Sequence, residues 1–298
     1  MALIFLGTPA FAVPSLERIA DAGYEVSLVV TQPDRPKGRG HALSFSPVKR
    51  AALDRGFAVY QPERIRRPEA VARLAELKPE TMAIVGYGQI IPQSIIDLAP
   101  KGIINVHGSL LPKLRGAAPI QWAIANGDTI TGVTTMRIDV GLDTGDMLLK
   151  ARTGIGAEET AVELGSRLAS MGADLLVTTL ATLDSITPEK QDDSQATFAP
   201  ILKREDGRID WSRPASAIHN QIRGFQPWPG AYTQFEGQML HIWKSRVAGP
   251  VAGAKEVGEL NRAMQVRCGD DHTLELLEVQ MEGRKRISGQ AFANGQRL

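Results

Sequence analysis

The sequence predicts an α/β protein: a doubly wound, mostly parallel, Rossmann-like sheet, followed by a smaller antiparallel β domain. Three observations carry this. Short apolar runs without in/out alternation recur through the first half, as strands covered on both faces require. Amphipathic segments separate them, giving the βαβα rhythm of a parallel sheet. Beyond Pro200 that rhythm gives way to short β-like runs punctuated by glycine.

The first four runs are Ala2–Leu6, Val26–Val30, Met82–Val85 and Ile103–Val106. The helical patterns between and after them carry start and stop signals. Phe11–Ala22 has Pro14 near its start and Gly23 just past its end; Pro47–Arg55 ends at Gly56. Pro68–Leu77 stops before Pro79, and Ala117–Ala125 before Asn126-Gly127. Val133–Ile138 is a further strand. Glu158–Thr179 is a longer helix with Leu164, Leu168, Met171, Leu175 and Leu176 on one stripe. Thr182–Pro200 is polar, carries Pro188 and includes Gln191-Asp192-Asp193-Ser194-Gln195, so it reads as a linker. Asp210–Phe225 is helical in part. Ala231–Phe235, Met239–Ser245, Ala263–Cys268 and Thr273–Val279 then suit a small antiparallel barrel or sandwich. The expected division is 1–182, a linker over 183–204, and 205–298.

Composition bounds the function. Of 298 residues, 43% are hydrophobic and 22% charged, which excludes wholesale disorder. Lys and Arg number 34 against 33 Asp and Glu, so the chain is not a uniformly basic nucleic-acid coat. The charge is unevenly spread, however. Pro33–Arg73 holds ten basic and four acidic residues, and Lys203–Leu298 holds fourteen and eleven, so the remainder is acidic. The single cysteine, Cys268, excludes an internal disulfide and a Cys-based zinc site. No apolar stretch is long enough for a membrane span, and the apolar start is too short for a signal core and lacks a basic flank. A cytoplasmic protein is expected.

The candidate chemistry begins at Ile104-Asn105-Val106-His107-Gly108. On a strand, residues i and i+2 share a face, so Asn105 and His107 project together. They sit at the carboxyl end of a strand expected to be parallel, where open α/β sheets place their sites. The loop Ser109–Gly116 follows. A second polar loop, Asp139–Asp146, carries Asp139, Asp143 and Asp146 among glycines and is expected to converge on the same crevice. The aspartates could be turn formers. Their spacing does not match the twelve-residue calcium loop, and no metal is expected. An amide and an imidazole can donate to an oxyanion. A carboxylate can orient the imidazole and take a proton from an attacking amine. No G-x-S-x-G is present, which favours direct transfer over an acyl-enzyme. No dinucleotide or P-loop fingerprint is present either.

Four segments carry a resemblance: Asn105-Val106-His107, Ser109-Leu110-Leu111-Pro112, Arg115-Gly116-Ala117-Ala118-Pro119-Ile120 and Asp139–Asp146. With Gly7-Thr8-Pro9, Thr31–Gly40, Asp206–Trp211 and Gly224–Ala231, the chain resembles the 10-formyltetrahydrofolate-dependent formyltransferases over nearly its full length. The resemblance implies a catalytic trio of Asn105, His107 and Asp143, and a co-substrate, 10-formyltetrahydrofolate, contacted by Ser109, Leu110, Leu111 and Pro112. It implies an OB-like second domain that helps bind tRNA. The Phe225–Gly230 segment and the basic loop lean towards members that formylate the α-amine of initiator methionyl-tRNA, acting as monomers. Arg35, Lys37 and Arg39 would meet the RNA, through phosphates. The alternative kept open is formylation of an amino-sugar nucleotide or another small amine. Gly86 stands where this family usually has Ala.

Overall fold

The computed structural model describes residues 2–37, 42–250 and 256–296. Nine strands belong to the first part: β1 (Ala2–Gly7), β2 (Glu25–Val30), β3 (Arg35–Lys37), β4 (Ala42–Ser44), β5 (Val59–Tyr60), β6 (Thr81–Val85), β7 (Ile103–His107), β8 (Ile130–Arg137) and β9 (Met147–Gly154). The helices are α1 (Val13–Asp21), α2 (Pro47–Asp54), α3 (Pro68–Ala75), α4 (Gln93–Ile96), α5 (Pro119–Ala125) and α6 (Ala161–Thr182). Then come α7 (Ala215–Gly224), β10 (Ala231–Phe235), β11 (Gln238–Ala248), β12 (Gln265–Arg267), β13 (Thr273–Met281), β14 (Ile287–Ser288) and α8 (Gly289–Gln296).

Seven strands form one sheet in the order β5-β2-β1-β6-β7-β8-β9. Neighbours from β5 to β7 run parallel, whereas β8 is antiparallel to β7, with His107 opposite Thr134 and Ile104 opposite Arg137. The apolar runs fill both faces of this sheet. In β1, Leu3 and Phe5 join one core cluster, and Ile4 and Leu6 join another. In β7, Ile104 and Val106 enter the first cluster and Ile103 the second, leaving Asn105 and His107 on the Ile103 side by alternation. Each fully buried Leu, Ile or Phe contributes about 1.5–3 kcal/mol, so the sheet is a rigid floor for its loops. Helix ends follow the expected chemistry: Ser46 Oγ accepts the Lys49 N–H at 3.0 Å and Pro47 opens α2. Gly86 has φ +57°, and a Cβ there would lie 2.9 Å from Pro9 Cγ, so glycine suits this turn after β6.

Two compact units emerge. One comprises Met1–Gly116, Thr131–Thr153 and Gly165–Phe198; the other comprises Ala117–Ile130, Gly154–Leu164 and Ala199–Leu298. In the second, an antiparallel sheet runs β10-β11-β13-β12, with β14 on β13. The β11–β13 register shifts around Lys244, and such bulges bend strands. The result is a curled half-barrel consistent with a small OB-like domain. Its core includes Ile218, Ile222, Leu240, Ile242, Leu274 and Phe292. The segment read as a linker is tied down in the first unit, where Glu189 bridges Met147 and Phe198 bridges Arg115. Among the described residues, no helix is long and apolar enough to cross a membrane.

Candidate active site

In the first unit the structure brings Asp143 against His107, with Asn105 two residues back on the same face of β7. Asn105 is 8% exposed and His107 5%. Among the described residues the Asn105 carboxamide makes no hydrogen bond within the chain, and it is not among the polar atoms sealed from the surface. His107 Nε2 lies 2.9 Å from the Leu114 carbonyl. That oxygen only accepts, so Nε2 carries a hydrogen, a tautomer assigned from this geometry. Nδ1 is then the ring atom facing Asp143, with Oδ2 at 3.7 Å. The same Oδ2 accepts the Gly116 N–H at 2.9 Å.

The Asp139–Asp146 loop reaches this arrangement by an indirect route. Because β8 is antiparallel, the Asp139–Asp146 loop leaves opposite Ile103, at the amino end of β7; Ile138 N–H donates to the Ile103 carbonyl at 2.8 Å. The loop must travel back to reach His107. Asp139 shapes it: Oδ1 accepts the Gly141 N–H at 3.0 Å and the Thr144 hydroxyl at 2.8 Å, which is turn-forming behaviour. Asp146 is exposed. Asp143 itself has φ +53°, a left-handed conformation that aspartate tolerates better than most residues.

In the loop after β7, Ser109 is 1% exposed and its hydroxyl donates to the Lys113 carbonyl at 2.5 Å. Leu111 is 2% exposed and packs on Met136 and Met147. Leu110 and Pro112 are half-buried. Thr134 Oγ1 ties the loop down, donating to the Ser109 carbonyl at 2.7 Å and accepting the Leu111 N–H at 3.1 Å. Exposed apolar side chains stand on the neighbouring loops, with Ile90 after β6 at 87% and Leu142 beside Asp143 at 64%.

Of the expected RNA contacts, Arg35 is exposed and paired with Glu63 at 2.7 Å. Lys37 lies in β3 opposite Ala42. Arg39 lies outside the described residues. The base of this segment is fixed by Asp34, which accepts from Lys49 Nζ and, at 3.0 Å, from Gln61 Nε2. The Lys49 bond, then the Gln61 bond, hold the Asp34 carboxyl below its ordinary pKa.

Sequence reading missed Gln191 and did not single out Arg115 or Thr134. Gln191 is 6% exposed and Arg115 4%. The pattern of polar residues around Gln191 signalled solvent, and no local motif marked it as buried.

This fold and these loops define a class: the chain belongs to the formyl transferase family. Residues 1–180 match that family and 201–297 match the formyl transferase C-terminal domain. The chain is 66% identical to a methionyl-tRNA formyltransferase of Solibacter usitatus, covering 100% of this chain and 96% of the relative. It is 56% identical to a methionyl-tRNA formyltransferase of Koribacter versatilis with the same coverage. A Helicobacter canadensis N-formyltransferase, solved with folinic acid and dTDP-3-aminofucose, superposes with a TM-score of 0.70. That likeness is at 20% identity over 94% of this chain and 98% of the other, and shows the fold alone.

Proposed function

We propose that this chain transfers a formyl group from 10-formyltetrahydrofolate to the α-amine of initiator methionyl-tRNA. The observation that carries the reading is the pairing of His107 with Asp143, on the strand face that also bears Asn105, in a chain 66% identical over its full length to a methionyl-tRNA formyltransferase. The amino-sugar alternative has only the distant fold likeness behind it.

The residues present fit a folate donor. A carboxamide that has no internal partner and still reaches the surface suits a polar carbonyl, and exposed Ile90 and Leu142 suit a flat aromatic ring system. When bound, the folate supplies an electrophilic formyl carbon and an amine leaving group. Asn105 donates from its Nδ2 to the formyl oxygen as that atom gains charge. His107 acts through Nδ1, because its Nε2 is held by Leu114. The Nε2–H tautomer leaves Nδ1 free to accept, directly or through water, the proton lost by the attacking amine. Asp143 stabilises the imidazolium that results, and the proton passes to the folate nitrogen as that amine leaves. Ser109–Pro112 shapes the folate slot through its backbone and through Leu110 and Pro112. Arg35, Lys37 and Arg39 meet RNA phosphates, and 205–298 helps hold the tRNA. On this reading residues 1–182 carry the chemistry, and the chain works in the cytoplasm as a monomer.

The test is turnover of methionyl-tRNA, initiator against elongator, and of amino-sugar nucleotides. His107→Ala and Asp143→Ala should each lose about 2–4 kcal/mol of transition-state stabilisation while remaining folded. Near-normal turnover in either folded variant, or preference for the sugar, overturns the assignment.

A further inference from the structure

We propose that Gln191 is a positioning residue for Asp143, and that the segment 189–198 is part of the active-site machinery rather than a passive connection. The inference rests on the catalytic reading of Asp143 given above.

The geometry is specific. Gln191 uses both hydrogens of its amide nitrogen: Nε2 donates at 2.8 Å to the backbone carbonyl of Asp143 and at 2.8 Å to that of Gly145. Its other amide atom, Oε1, accepts from Arg115 Nε at 2.9 Å. Arg115 is itself held: its Nη2 donates to Asp193 Oδ1 at 2.8 Å and its backbone N–H to the Thr197 carbonyl at 2.8 Å. One residue further on, Gly116 N–H grips the Asp143 carboxylate. Asp143 is thus held at its backbone by Gln191 and at its side chain by the residue after Arg115.

Three features argue that this hold sets the carboxylate's position. Asp143 has a left-handed φ, which aspartate tolerates but which is uncommon outside glycine, so bonds to its backbone help to hold it. Carbonyl 143 belongs to the left-handed residue itself and carbonyl 145 lies two residues on, and a single amide group clamps both. Gln191 is buried, so water cannot substitute freely if the amide is lost. A glutamate of the same shape would keep the oxygen facing Arg115. It would also turn a carboxylate oxygen towards two carbonyl oxygens, replacing two attractions by two repulsions.

The experiment is a double-mutant cycle on turnover of methionyl-tRNA, with Gln191→Leu, Gln191→Glu, Asp143→Asn and the two combinations, each checked for folding by circular dichroism. Gln191→Leu is expected to lower kcat by about tenfold or more, with KM for the folate and the tRNA within about twofold of the parent. Gln191→Glu, which preserves volume and the Arg115 contact, should lower kcat at least as much and serves if the leucine variant does not fold. In the Asp143→Asn background either substitution should cost less than about threefold, because residues acting as a unit are not additive. Losses that multiply across the two positions, or full activity in both Gln191 variants, overturn the proposal. Asp143→Asn alone is read separately: full activity there refutes the catalytic reading of Asp143, whatever the Gln191 variants do.

Discussion

Replacing Thr134 with valine removes one hydroxyl from the root of the loop after β7 and changes the local volume little. That hydroxyl is fully buried and makes two bonds, one to the Ser109 carbonyl and one from the Leu111 N–H. Valine leaves Leu111 N–H without a partner and takes one of two possible bonds from the Ser109 oxygen. Leaving a buried donor unsatisfied costs about 1–3 kcal/mol, and a carbonyl tolerates the loss somewhat better. The expected destabilisation of the first unit is therefore about 2–4 kcal/mol. Thr134→Ser keeps the hydroxyl and loses one methyl, which costs about 1 kcal/mol. The assay is urea unfolding followed by far-UV circular dichroism, with amide exchange at Leu111. Tryptophan fluorescence is the wrong probe, since Trp122, Trp211, Trp228 and Trp243 all belong to the second unit. If Thr134→Val melts within about 0.5 kcal/mol of the parent with Leu111 still protected, the reasoning fails. It fails equally if serine is as damaging as valine.

Gly145→Ala would set a Cβ 1.9 Å from the Arg137 carbonyl oxygen. Because that contact is backbone, the Asp143 loop must move, and we expect a turnover loss of about tenfold or more at a stability cost of about 1–3 kcal/mol; unchanged kcat would show the loop position to be unimportant. Burial pushes the His219 imidazole below its ordinary pKa, against the opposing pull of Glu158. The unfolded chain therefore takes the proton first, so this stability is fully present above pH about 6.5 and declines as the pH falls towards the folded-state value. His219→Gln should flatten that slope in thermal melts read by tryptophan fluorescence, with His241, also lowered chiefly by burial, supplying the remainder. An identical slope in the variant would remove His219 from the effect. Binding of methionyl-tRNA should weaken linearly in log salt, and Arg35→Ala should reduce the slope by about one unit; an unchanged slope takes Arg35 out of phosphate contact.

The parts of the fold visible in the sequence are those fixed by burial on two faces. Val26–Val30 and Ile103–Val106 are continuous apolar runs because both faces of the parallel sheet are covered, and the observed strands differ from them by one residue at an end. β9 escaped because its exposed Lys150, Arg152 and Gly154 alternate with half-buried positions at the sheet edge, and β5 because two residues make no pattern. Asn105 and His107 were legible because strand periodicity alone puts them on one face. Asp143 entered through a motif, and its left-handed backbone could not be read from turn-forming composition. Gln191 was illegible for a different reason. A polar residue solvated in a linker and a polar residue saturated by buried carbonyls look the same in one sequence, and only the three-dimensional return of 189–198 tells them apart.

That return answers a difficulty the sheet creates. Parallel strands deliver their loops to one edge, and β7 delivers Asn105 and His107 in this way. β8 runs in the opposite direction, so the loop that carries Asp143 begins beside Ile103, four residues and about 13 Å of strand away from His107. Nothing in strand pairing carries the carboxylate back across that distance. Among the described residues, bonds made outside the sheet do so, by Gly116 to the side chain and by Gln191 to the backbone. Two members of the trio are therefore positioned by the hydrophobic core and the third by a polar network of Gln191, Arg115 and Asp193. Mild destabilisation should accordingly separate them. Substitutions in the segment 189–198 should loosen Asp143, seen as faster amide exchange in 139–146, while β7 keeps its protection. Equal loss of protection in both segments would mean that the trio is held as one piece by the sheet.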